Sequence, residues 1–146
     1  MEEVKWILTK KLEKTEEINN FEQTYSIKFP VQFKEIVLEN NAGRPRPNVF
    51  DSSERTELVA KALLSFDSSH PDNIWDTYQH VKGCLPNDIV PFMSDQFGNY
   101  VCFDYQYSKE PAVVFWDHEL SQSNPNKSIG EVADDFEEFL NSLYSL

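Results

Sequence analysis

Glycine is scarce in this chain. Its 146 residues hold four, Gly43, Gly83, Gly98 and Gly130, and they are far apart. A phosphate-cradling loop needs clustered glycines so that backbone amides can reach the ligand, which excludes a P-loop and a dinucleotide fingerprint. A G-x-S-x-G nucleophile elbow is excluded for the same reason. Histidine is limited to His70, His80 and His118, with no H-E-x-x-H and no Cys/His zinc spacing. The H-x-E and P-C-x-x-C pattern of zinc deaminases is missing too. Cys84 and Cys102 are too few for a disulfide framework and do not form C-x-x-C, so both are expected to be buried, reduced thiols. No apolar run approaches the ~20 residues of a membrane helix. The acidic, mixed start Met1-Glu2-Glu3-Val4-Lys5 does not fit a secretory signal, and a cytosolic protein is expected. No motif calls for a cofactor or a metal.

Positive charge is also short, and unevenly so. Residues 1–47 carry eight acids and eight bases, whereas residues 48–109 sum to −5 and residues 110–146 to −7, where Lys127 is the sole base. The net −12 therefore lies in the last two thirds. Such a field repels phosphate backbones and anionic lipid and attracts basic surfaces, which disfavours direct nucleic-acid or membrane binding. Solubility alone also accounts for acidity. The length and the 40% hydrophobic content predict one domain over 1–146 with a real core.

What is plentiful is aromatic and β-branched residues between 89 and 119. Ile89-Val90-Pro91-Phe92-Met93, Tyr100-Val101-Cys102-Phe103-Asp104-Tyr105 and 111–119 read as two or three adjacent strands. Gly98-Asn99 joins the first two as a hairpin signal, because both residues reach positive φ easily. Around this frame, Val4, Ile7, Leu8 and Leu12 fit a short helix, with a strand left open by Trp6 and Leu8. Thr15-Glu16-Glu17 starts a helix with Ile18, Phe21 and Tyr25 on one face. Pro30 suits a first helical position, and Phe33, Ile36 and Val37 follow until Gly43, a natural left-handed cap. Arg44-Pro45-Arg46-Pro47 reads as an exposed stiff turn before a short strand at 48–51, and 57–66 fits a buried strand or a helix turn equally well, with extended structure favoured near 61–67. Pro71 opens a helix whose inner face is Ile74, Trp75, Tyr78 and Val81. After a polar loop at 121–127, Ser128 and Glu131 form a capping box for a last helix. Its stripe is Val132, Phe136, Phe139, Leu140 and Leu143, opposite Asp134, Asp135, Glu137 and Glu138.

Two sets of residues are candidates for chemistry. Asp117-His118-Glu119 could act as an acid–base group or weak metal site, yet strand neighbours point to opposite faces, which favours a role in ending the strand. Asp95 and Asp104 could be paired carboxylates, but Asp95 is explained without a substrate as an Asx motif bonding the turn backbone. The aromatics of this region are mostly core, and one or two exposed at the rim could anchor a protein partner.

The order of several short motifs resembles the SUKH superfamily, which groups yeast cell-wall-synthesis regulators with bacterial toxin-immunity proteins. The motifs are Ile18 with Phe21-Glu22, Phe29-Pro30, Asn40-Asn41-Ala42-Gly43-Arg44-Pro45, Leu63-Leu64-Ser65-Phe66 and Leu85-Pro86. They continue through Ile89-Val90-Pro91-Phe92, Asp95, Gly98-Asn99, Cys102-Phe103-Asp104, 113–119 and Phe136-Phe139-Leu140, spanning about 15–144. Ala42 departs from the pattern, standing where a second glycine is common. The resemblance implies an α+β fold, a mainly antiparallel, twisted sheet flanked by helices. It also implies a non-catalytic immunity protein that binds a cognate polymorphic toxin, often a nuclease. The motif residues Gly43, Pro86, Asp95, Gly98, Asn99 and Trp116 read as structural. Asp117, Glu119, Asp134, Asp135 and Glu138 are the expected contacts for a basic partner. Two alternatives are a regulatory protein-interaction scaffold and a small hydrolase using Asp95 or Asp117, His118 and Glu119.

Overall fold

The computed structural model describes residues 3–124 and 127–146. In chain order the elements are β1 (Lys5–Ile7), α1 (Glu16–Tyr25), α2 (Val31–Asn40), β2 (Arg44–Arg46), β3 (Val49–Phe50), β4 (Leu58–Val59) and β5 (Ala62–Leu63). There follow α3 (Ile74–Val81), β6 (Ile89–Ser94), β7 (Tyr100–Asp104), β8 (Ala112–Trp116), α4 (His118–Ser123), β9 (Ile129–Ala133) and α5 (Phe136–Ser142). Strands β5 to β9 form one antiparallel sheet in sequence order, and β1–β2 and β3–β4 are separate antiparallel pairs. The α+β class expected from the resemblance is what the chain adopts.

Strand alternation sorts the sheet residues into two clusters. Val101 and Phe103 of β7, Val113 and Phe115 of β8 and Phe92 of β6 meet Ile18 and Phe21 of α1, Phe33 and Val37 of α2, and Phe136 and Phe139 of α5. Ile89, Cys102, Val114 and Trp116 face the other way, against Val81 and Leu85. Both faces being covered explains why these strands read as continuous apolar runs. At the centre, the rings of Phe33, Phe92, Phe103 and Phe136 lie 4.1–5.9 Å from one another.

Several local expectations give way to tertiary pairing. Residues 5–7 form a strand and not a helix: Trp6 pairs with Pro45 of β2, and Val4 and Trp6 turn to the core while Lys5 and Ile7 stay exposed. Residues 44–46 accordingly form a paired strand, and Pro45 and the following Pro47 are buried, so the segment is not an exposed turn. Residues 129–133 are edge strand β9, drawn into the sheet by β8, so no capping box forms at Ser128 and Glu131. The same chemistry appears seven residues on, where Asp135 Oδ1 accepts from Glu138 N at 2.8 Å and caps α5. Helix α3 starts after Asn73, whose Oδ1 accepts from Asp76 N, three residues later than the Pro71 start. Thr15 precedes α1 as expected, but its backbone is already helical and its hydroxyl makes no capping bond. Pro30 sits one residue before α2.

The left-handed residue after α2 is Ala42, at φ 60°, and Gly43 has a different task. A Cβ at Gly43 would meet Asn40 O at 2.8 Å and Thr9 Cγ2 at 2.9 Å, so the missing side chain lets the N-terminal segment cross the helix end. Cys102 is buried, and burial pushes its thiol pKa well up, but Cys84 is exposed.

Asp104 ends β7 opposite Ile89 and Ala112, buried, with Gln106 N donating to its Oδ1 at 2.9 Å. Burial raises its pKa; the Gln106 bond opposes this, and Asp88 and Glu131 add to the rise. A carboxyl whose folded pKa is raised favours folding most when protonated. That contribution is complete below the unfolded value, near ~3.9, and is lost as pH rises through the folded value. Asp104→Asn keeps the Oδ1 acceptor without the charge. It is expected to melt higher than the parent at pH 7, with the gap closing as pH falls through the carboxylate range. Equal melting at pH 7, or a gap still present at pH 3, would contradict this.

Candidate functional site

A hydrogen-bonded polar cluster lies at one end of the sheet, where β6 turns into β7 and β8 passes into α4. It grows from the turn sequence Asp95-Gln96-Phe97-Gly98-Asn99. Asp95 Oδ1 accepts from Phe97 N at 2.7 Å and Asn99 N at 2.9 Å, and its Oδ2 accepts from Asn99 Nδ2 at 2.9 Å. Gly98 takes φ 85°, which a Cβ would strain, and faces the His118 ring 3.4 Å from where a Cβ would stand. The Asx reading of Asp95 is thus the observed one.

The neighbouring rim is fastened to this turn. Asn99 Oδ1 accepts from His118 N at 3.0 Å and lies 2.7 Å from His118 Nδ1. Because an amide oxygen can only accept, Nδ1 is the donor in this contact. Asp117 is the N-cap of α4: its Oδ1 accepts from Glu119 N at 3.0 Å and Leu120 N at 3.2 Å. Its Oδ2 binds Arg55 Nη1 at 2.9 Å. Residues 117–119 therefore turn from strand into helix, which corrects the reading of one strand through 119 and of a loop from 121. The cap holds because a carboxylate before free helical amides is favoured twice, by hydrogen bonds and by the helix dipole. The loop carrying Arg55 is pinned again by Ser53 N to Glu131 O at 2.8 Å and Glu131 N to Ser53 Oγ at 3.0 Å.

Chemically, this cluster holds a shape. The four carboxylate oxygens of Asp95 and Asp117 all accept hydrogen bonds, and His118 Nδ1 is engaged with Asn99. Among the described residues no group of three His, Cys, Asp or Glu side chains could hold a metal ion.

The expected site residues are only partly brought together. Asp95 and Asp104 lie at opposite ends of five-residue β7, about 16 Å of strand apart, so they are not a carboxylate pair. Asp117 and Glu119 sit at the rim, whereas Asp134, Asp135 and Glu138 follow Ala133 at the far end of β9. Glu119, Asp134, Asp135 and Glu138 are exposed, and Asp117 is buried. Gly43 is buried, Pro86 half-buried, and Trp116 buried with its ring stacked on Tyr100 at 6.2 Å. Arg55 was not legible as a partner of Asp117, being 62 residues away. Phe97, 74% exposed, and Leu120, 39% exposed, join the rim as apolar groups. The one available hint was that a turn residue between two strands has no place in their alternation.

An antiparallel sheet with α1, α2 and α5 on one face and the end of α3 on the other is an α+β arrangement. The chain belongs to the SUKH family, whose model described as SMI1-KNR4 cell-wall matches residues 15–140. It is also similar to an SPbeta prophage-derived uncharacterized protein, YokK, of Bacillus subtilis (strain 168), 43% identical over 80 residues. That match covers 55% of this chain and 38% of the relative. Among the described residues no helix is long and apolar enough to cross a membrane.

Proposed function

We propose that this chain is a non-catalytic, cytosolic immunity protein that binds a cognate polymorphic toxin, most simply a nuclease domain, and blocks it. One observation carries the reading: the carboxylates of Asp95 and Asp117 are bound within the fold, while Glu119 and Asp134 are exposed to a basic surface and Asp135 and Glu138, although engaged at the α5 cap, are exposed as well. The SUKH family match and a prophage-derived relative support the same reading. An acidic face meeting a basic nuclease cleft speeds association, and salt weakens that gain.

The test mixes the purified chain with the toxin domain encoded beside it. A one-to-one complex that suppresses nucleic-acid cleavage is expected, with slower association at physiological than at low salt. Absence of a complex at both salts, with several housekeeping partners captured instead, would favour a regulatory scaffold.

A further inference from the structure

Phe97 contributes little to the fold. It stands at the tip of the β6–β7 hairpin, 74% exposed, and makes none of the ring contacts that link the other phenylalanines. Its position is nevertheless closely fixed. The three bonds of Asp95, the left-handed Gly98 and the His118 ring behind it hold the backbone on both sides. Leu120 is the second exposed apolar group on this rim, on the first turn of α4. With its backbone fixed, the side chain has only its own two torsions to order on docking, a small cost that suits an interface anchor.

The charges beside it favour one sign of partner. Glu54 and Glu119 are exposed on the adjoining loop and helix and exposed Asp72 lies near Tyr100 at the start of β7, against exposed Lys127 next to Ser128, while Arg55 is already bonded to Asp117. Tyr107 is also exposed, at 88%, but it lies in the β7–β8 connection near Lys109, at the opposite end of the sheet. The geometry points to the hairpin rim as the docking surface: Phe97, with Leu120 on the same rim, enters an apolar socket on the toxin domain, and Glu54 and Glu119 meet bases around that socket. This rests on the immunity reading and narrows it, since it places the contact at the rim and not at the 134–138 acids.

The experiment measures binding of the adjacent toxin domain to the parent chain and to Phe97→Ala, Phe97→Leu, Glu119→Lys and Asp134→Lys, with thermal melts of each. Phe97→Ala is expected to melt with the parent and to bind at least tenfold more weakly, mainly through faster dissociation, and Phe97→Leu to recover part of the loss. Glu119→Lys is expected to slow association and flatten its salt dependence, and Asp134→Lys to stay within threefold of the parent. If the parent binds and Phe97→Ala binds equally well, or if only Asp134→Lys weakens the complex, the rim assignment falls and the immunity reading stands. If the parent binds no toxin domain, both fall.

Discussion

Phe33→Ala is expected to destabilise the protein by about 4 kcal/mol, within the range for removing a buried phenyl ring. Phe33 is 1% exposed on the inner face of α2, and its ring meets those of Phe29, Phe66, Phe92, Phe103 and Phe136 at 5.1–6.3 Å. These partners come from two loops, β6, β7 and α5, so the cavity opens where helices and sheet meet. Collapse around it is hindered, because four of the five partners are themselves under 2% exposed and fixed by other rings. Edge-on ring geometry adds about 0.5–1.5 kcal/mol per pair beyond buried area, and so places the loss toward the upper part of the range. A melting temperature lower by roughly 12 °C follows for a chain of this size. Phe33→Leu, which keeps most of the volume, is expected to lose less than about 1.5 kcal/mol. A Phe33→Ala loss under about 1 kcal/mol in urea denaturation would mean that the core is not organised on this ring.

Asp95→Ala is expected to cost about 3 kcal/mol. The change leaves Phe97 N, Asn99 N and Asn99 Nδ2 without their acceptor, and Asn99 is 5% exposed. An unsatisfied buried donor costs about 1–3 kcal/mol, and bonds to a charged acceptor are at the stronger end, although water reaches the outer part of this turn. The loss extends past the turn, because Asn99 also holds His118 at the start of α4. Asp95→Asn keeps one oxygen for the two amides and sets an NH2 against Asn99 Nδ2, so an intermediate loss is expected. Amide hydrogen exchange at 97, 99 and 118 provides the local readout. Protection unchanged in Asp95→Ala would mean that the rim is held by strand pairing alone.

The fold was legible wherever a residue's local pattern and its tertiary partner agreed. The strands at 89–94, 100–104 and 112–116 agreed because apolar runs of five or six residues around a Gly-Asn turn have few other uses. The helices at 16–25 and 31–40 agreed through the spacing of Ile18 and Phe21, and of Phe33 and Val37. Agreement failed at the margins. Ser128 and Glu131 satisfy a helix-cap pattern, yet β8 offers residues 129–133 a ladder of backbone hydrogen bonds, and Gly130 lets Ser52 lie against the strand. Val4, Ile7, Leu8 and Leu12 recur at helical spacing, yet Trp6 opposite Pro45 decides for a strand.

For the candidate site, the sequence by itself determined the turn: Asp95 before Gly98-Asn99 forms it through contacts within five residues, so local chemistry suffices. It also determined the acidic charge of the last two thirds, which depends on composition alone. Only the tertiary structure decided that Asp117 faces Arg55, that Asn99 holds His118, and that Asp117 and Glu119 stand at the opposite end of the sheet from Asp134 and Asp135. The physical reason is strand register. Pairing sets which ends of distant segments meet, and antiparallel strands of five residues separate by their whole length acids that lie within twenty residues in the chain.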